Sequence, residues 1–195
     1  SMEKVNITSG AAVPTDTTTW GTRALNIVAT GAVDATVADT TDVTASGAST
    51  TILGGKAVSV TGGTGATSIT GDGLTTVSVK GGGAVTIDNT LNAVSSTGTT
   101  MTSVILDGVD ANSEIKGQGL TDVTVKGVTT AARTVEITNT KADHALTVNV
   151  DGTGYDASGT AQQTIVKDAN ATAITVNASG DKRSLALTGS TADTS

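Results

Sequence analysis

The single histidine, His144, is the one side chain around which a Ser-His-Asp or Cys-His nucleophilic arrangement could be assembled. It lies in the polar run Lys141-Ala142-Asp143-His144, ahead of an apolar alternating segment, and there it reads as a solvated turn residue. The chain has no cysteine, which excludes disulfides, thiolate nucleophiles and zinc thiolate sites. Serine and threonine are so abundant, with 41 Thr among 195 residues, that no one hydroxyl stands out as a nucleophile, and no G-x-S-x-G elbow occurs. Two carboxylate pairs remain, Asp107 with Asp110 and Asp151 with Asp156. Such pairs could act on a polysaccharide or hold calcium, but Asp-Gly-rich runs are also ordinary turns in which Asp bonds its own backbone. Sugar-processing grooves usually stack the ring on aromatic faces, and this chain offers only Trp20 and Tyr155. No residue is therefore assigned as catalytic, cofactor-binding or metal-ligating, and no enzyme activity is expected.

Charge narrows the partners further. Eleven Lys and Arg against 18 Asp and Glu give a formal charge of −7, which disfavours binding a polyanion through counterion release, so nucleic acid is not an expected partner. No run reaches the roughly 18 apolar residues of a membrane helix. Lys80 and Lys126 occupy matching places in a repeat and could form an interaction patch, or could guard strand ends against edge pairing. Three matches to the glycosylation sequon, at Asn6, Asn170 and Asn177, read as asparagine in turns.

The elements that would position these residues show a repeat. Gly71-Asp72-Gly73-Leu74-Thr75-Thr76-Val77-Ser78-Val79-Lys80-Gly81 returns as Gly117-Gln118-Gly119-Leu120-Thr121-Asp122-Val123-Thr124-Val125-Lys126-Gly127, eight of eleven positions identical at an offset of 46. A looser unit, apolar-polar-apolar followed by a turn former, recurs at Leu25, Val43, Val58, Val77, Val85, Val104, Val123, Val135, Val148, Ile174 and Leu185. Its period of 2 and its β-branched members predict strands of about five residues. Gly, Thr and Asn interrupt every candidate helical window.

Short strands and small interiors select the architecture. With aromatics at 1% and no Phe, the chain lacks the large residues that usually bridge two opposed sheets about 10 Å apart. A parallel β-solenoid needs none, because each strand stacks on its counterpart one turn later at about 4.8 Å and the aliphatic residues pile into narrow ladders. The expected fold is thus all-β, a β-solenoid (β-helix) with about 20 residues per coil, since spacings of 19 recur from Val58 to Val77 and from Val85 to Val104 to Val123. The 46-residue offset then covers two coils, and strands at 58, 77 and 85 answer to those at 104, 123 and 135. Residues 1–23, with Pro14 and Trp20, read as an N-terminal cap or linker that begins with a cloning remnant. Residues 24–189 read as the repeat domain, with loops at Leu91–Thr100 and Thr153–Gln163, and residues 190–195 as a disordered tail.

The phrasing of Thr134–Thr140, Ala145–Val150, Ala173–Gly180 and Ser184–Ser190 resembles the Thr/Gly/Ala/Val-rich repeats of bacterial S-layer proteins and of large RTX-like adhesins exported by type I secretion. The resemblance implies a right-handed solenoid segment of a secreted, extracellular cell-surface protein. It implies a structural or adhesive role, partners among its own copies or other surface components, and calcium as a common but not required ion. The family's calcium nonapeptide G-G-x-G-x-D-x-U-x is met by Gly62-Gly63-Thr64-Gly65-Ala66-Thr67-Ser68-Ile69-Thr70 at every fixed position except the aspartate, where Thr67 stands. A neutral hydroxyl there removes ligand charge from a hard cation. The alternative roles are a polysaccharide-active β-helix enzyme and an ice- or ligand-binding solenoid module. The outward positions Ser59, Ser78, Thr86, Thr124, Glu136, Asn149 and Thr175 read as a mixed row, unlike the regular threonine array an ice-binding face needs.

Overall fold

A computed structural model describes residues 4–18, 23–89, 99–109, 111–127, 133–139, 141, 143–151, 164–179 and 185–189. Among them there is no helix, and eighteen strands fall into two nine-stranded sheets. The first sheet takes every odd strand: β1 (Lys4–Ser9), β3 (Ala24–Ala29), β5 (Asp42–Gly47), β7 (Ala57–Gly62), β9 (Thr76–Lys80), β11 (Ser103–Asp107), β13 (Asp122–Lys126), β15 (His144–Asp151) and β17 (Ala171–Ser179). The second takes every even strand: β2 (Val13–Asp16), β4 (Val33–Thr36), β6 (Thr50–Leu53), β8 (Thr67–Thr70), β10 (Val85–Asp88), β12 (Ser113–Lys116), β14 (Arg133–Thr138), β16 (Thr164–Asp168) and β18 (Leu185–Thr188). Every pairing is parallel and joins a strand to its counterpart one coil on, so the chain winds nine two-stranded coils into a β-solenoid.

The core follows from the period-2 alternation. In the odd sheet the inward columns run Val43, Val58, Val77, Val104, Val123, Val148 and, beside them, Ala45, Val60, Val79, Leu106, Val125. The even sheet answers with an isoleucine column, Ile52, Ile69, Ile87, Ile115 and Ile137, continued at one end by Ala35 and at the other by Asp168. The first four of these isoleucines have no exposed surface. Full burial of such a side chain contributes about 1.5–3 kcal/mol, so stacked aliphatic residues replace the aromatic core this chain lacks. At one corner Leu74, Met101 and Leu120, each two residues ahead of a paired strand start, seal the interior.

The 46-residue offset spans two coils, because Val77 pairs with Val104 and Val104 with Val123. The recurring Gly-x-Gly-Leu is explained by close approach: a Cβ on Gly73 would strike the Asp39 carbonyl, and one on Gly119 the Thr99 carbonyl. Coil length, measured in the odd sheet, ranges from the 15 residues between Val43 and Val58 to the 28 between Val148 and Val176.

Two features differ from the sequence reading. The step from Val85 to Val104 joins strands of opposite sheets, so it is not a coil repeat; Val85 stacks on Thr67 and Ser113. Residues 4–16, expected within an irregular cap, form β1 and β2, the first full coil, with Pro14 facing Asp34 on β4. Proline is tolerated there because β2 is an edge strand: the Val13 and Thr17 N–H groups donate to the next coil, and the intervening N–H that Pro14 lacks would point away from it. Trp20, residues 1–3 and 190–195, most of the first expected loop and all of the second lie outside the described residues.

Candidate functional site

Parallel register places one outward side chain per coil in each row, so surface chemistry is set by which residues share a register position. Asp107 and Asp151 occupy a row that reads Lys80, Asp107, Lys126, Asp151 along four successive coils. Lys126 Nζ lies 3.6 Å from Asp107 Oδ2, both partly exposed. Lys80 and Lys126 are therefore separated by a carboxylate and form an alternating charge row instead of a basic patch. The expected partners of the two aspartates, Asp110 and Asp156, and the ring of Tyr155, lie outside the described residues. The turns behind this row begin with Gly81, Gly108 and Gly127, all at φ between 66° and 70°, which a side chain would strain.

The calcium-type nonapeptide spans the end of β7, a turn and β8. Thr67 points inward, 2% exposed, stacked between Thr50 and Val85. A carboxylate at that place would sit in the core column without a partner. Gly63 and Gly65 pack against the Ala48 backbone, where a Cβ would come within 2.8 and 2.7 Å, so close stacking of turns accounts for both glycines. Among the described residues no group of three or more His, Asp or Glu side chains is placed to hold a metal ion.

A concave polar patch does form on the outer face of the even sheet, lined by Thr86, Glu114, Glu136, Thr138 and Lys167. Glu114 pairs with Glu136, and Glu136 with Lys167, one coil apart each. Like charges directly opposite on neighbouring strands repel, and two lysines offset this: Lys116 lies 3.1 Å from Glu114, and Lys167 follows Glu136 in the row. This cluster was not legible in the sequence because β12 carries Ser113 at an inward position where the strand pattern calls for an aliphatic residue. The Glu-Ile dipeptides at 114–115 and 136–137 are the signal that could have revealed it. The outward residues read as one mixed row divide between the two faces: Ser59, Ser78, Thr124 and Asn149 share a row of the odd sheet, Thr86 and Glu136 belong to the even sheet, and Thr175 stacks on Thr147.

His144 departs most from expectation. It opens β15 and is buried, with Nε2 2.8 Å from Asp168 Oδ2 and Nδ1 2.7 Å from the Lys141 carbonyl oxygen. The turn that turns it inward contains Asp143 at φ 53°, a left-handed conformation that aspartate tolerates better than most residues. Neighbouring amides complete the corner: Asn170 donates to the Asn139 carbonyl at 2.6 Å, and the Lys141 N–H to Asn139 Oδ1 at 3.0 Å. Three coils earlier than Asn170 the same corner is held by Asn89, fully buried. Its amide donates to Gly71 O at 2.8 Å and Asp72 O at 3.2 Å, while Oδ1 accepts from the Met101 N–H at 3.2 Å. At the other end of the molecule the Thr18 hydroxyl and N–H donate to Asp16 Oδ1 at 2.6 and 2.9 Å, holding that exposed carboxyl below the usual carboxylate range.

The geometry defines a parallel β-solenoid with a polar, mixed-charge exterior. Compared with protein-family models, curated proteins and solved structures, the chain matches none.

Proposed function

We propose that the chain is a stiff structural or adhesive segment of a secreted bacterial cell-surface protein, of the S-layer or biofilm-adhesin kind, working as a scaffold that associates with its own copies or with other surface components. The observation that carries this reading is the continuity of the inward columns from coil to coil: nine coils at about 4.8 Å each make a rod of roughly 43 Å whose every hydrogen-bond ladder runs along its axis. Threonine and serine on both outer faces suit export and hydration, and the compositional resemblance supplies the cellular setting. Calcium belongs to the proposal as an ion that lattice contacts between copies would recruit.

A second reading, a polysaccharide-active or ligand-binding module, is favoured by the Glu114, Glu136 and Lys167 row in its concave patch. Electron microscopy and sedimentation of the purified chain, with and without calcium, separate the two. The scaffold reading expects concentration-dependent filaments or sheets and no turnover of acidic polysaccharides. A chain monomeric at all concentrations that turns over such a polymer, and loses this on Glu136→Gln, overturns it.

A further inference from the structure

We infer that the corner joining the seventh, eighth and ninth coils is built around a bound proton. A carbonyl oxygen only accepts hydrogen bonds, so the His144 Nδ1 that lies 2.7 Å from the Lys141 oxygen must carry hydrogen. A neutral imidazole has one N–H, and that one is then spent. An ionised carboxylate also only accepts, yet Asp168 Oδ2 sits 2.8 Å from Nε2. The two groups can bond only if they share one hydrogen more than a neutral imidazole beside a carboxylate, as imidazolium with carboxylate or as imidazole with carboxylic acid. Burial makes this demand firm: the side chains are 5% and 1% exposed, so water does not stand in for a missing donor.

Among the described residues, the groups around the pair leave the proton where it is. In His144's own turn Lys141 and Asp143 are exposed, and beside Asp168 the outward Lys167 faces solvent while the exposed Ala169 carries no charge. From β14 the nearest inward neighbour is Ile137, paired with Asp168, while the buried Arg133 stands at the far end of that strand, opposite Thr164. From β17 the facing residue is Ala171, and from the corners Asn139 and Asn170, all uncharged. The shared hydrogen ties the turn before β15 to the end of β16, at the place where the β15–β17 register shifts between His144 and Ala145. Its removal sets an acceptor against an acceptor inside the core, which loosens the coils beyond β15. The pair is thus a clamp that holds only while the shared hydrogen is in place.

Because His144 is the only histidine, a nitrogen-15 spectrum of the intact chain reads the site directly. At pH 6 to 7 we expect hydrogen on both ring nitrogens, or hydrogen on Nδ1 with the Asp168 carboxyl carbon at its protonated shift. One N–H on the ring together with an ionised Asp168 overturns the inference. The second measurement uses Asp168→Asn, whose amide donates to a neutral Nε2 and removes the need for the extra hydrogen. In that variant the ring should carry a single N–H, on Nδ1, while far-ultraviolet circular dichroism matches the parent's. A folded variant whose ring still carries hydrogen on both nitrogens overturns it. A variant that does not fold leaves the spectrum of the parent to decide.

Discussion

Val79→Asp tests the stacked core at its centre. Val79 has no exposed surface and sits in β9, the odd-sheet strand of the fifth of nine coils, between Val60 and Leu106 in its column. Removing the valine forfeits about 1.5–3 kcal/mol of burial. Placing an ionised carboxylate there, with no partner in the column, adds a penalty of several kcal/mol. The sum, about 5 kcal/mol or more, is comparable to the whole stability of an ordinary domain, about 5–15 kcal/mol. Each coil contacts only its neighbours, so damage in the fifth coil also uncouples the four before it from the four after it. Thermal and urea unfolding followed by far-ultraviolet circular dichroism should show loss of the parent transition, or its division into weaker ones. Thr76→Asp, three residues away on the exposed face of the same strand, is the control and should change stability by no more than about 0.5 kcal/mol. If Val79→Asp unfolds within about 2 °C of the parent, less than 1 kcal/mol at this chain length, the inward assignment fails and the fold with it.

Other perturbations probe the corners and the surface. Gly54→Ala should destabilise by at least about 1–3 kcal/mol, because Gly54 has φ 86° and a Cβ would overlap the Val37 carbonyl oxygen; a urea midpoint equal to the parent's would refute the close packing. Asn89→Ala should cost about 1–3 kcal/mol by taking the Asn89 side chain from the buried Met101 N–H and the Gly71 carbonyl, while the Asp72 carbonyl keeps the Thr100 hydroxyl at 2.7 Å, and hydrogen exchange at Met101 should accelerate with it. Lys126→Ala should cost no more than about 1 kcal/mol, as its contact with Asp107 is partly exposed and 3.6 Å long, and a larger loss in a melting curve would mean the charge row bears on the fold. Asp16 should titrate below the ordinary carboxylate range in a carbon-13 experiment and return toward it in Thr18→Val, which removes the hydroxyl donor. The sign follows: a depressed carboxyl stabilises the fold above its unfolded value, and that contribution is lost as pH falls through the folded one.

How much of this could be read from residues alone depended on which face of a strand carried an aliphatic side chain. The odd sheet was legible from β3 onward, since nearly every strand there presents Val, Leu or Ile at two inward positions, as in Val58-Ser59-Val60 and Val123-Thr124-Val125. The even sheet was legible only in part: β6, β8 and β12 begin with inward Thr50, Thr67 and Ser113, which a search for alternating apolar residues passes over. Missing those strands hid the two-sheet coil and let the 19-residue step from Val85 to Val104 pass for a repeat. The surface suffered more than the core. Charge rows exist only once register is known, so neither the Glu114 and Glu136 cluster nor the alternation of Lys80, Asp107 and Lys126 follows from sequence spacing. His144 looked wet because its sequence neighbours are polar, whereas its surroundings are set by Asp168, 24 residues on.

Axial hydrogen bonding also fixes how such a rod yields to tension. Pulled from its two ends, the chain meets the ladders one rung at a time, so coils peel away in succession and are not sheared together. Releasing 20 residues, from Lys4 to its partner Ala24, frees about 70 Å of extended chain, more than the height of the intact stack. A tether of this kind would absorb a jolt in small increments and rewind when the load passes.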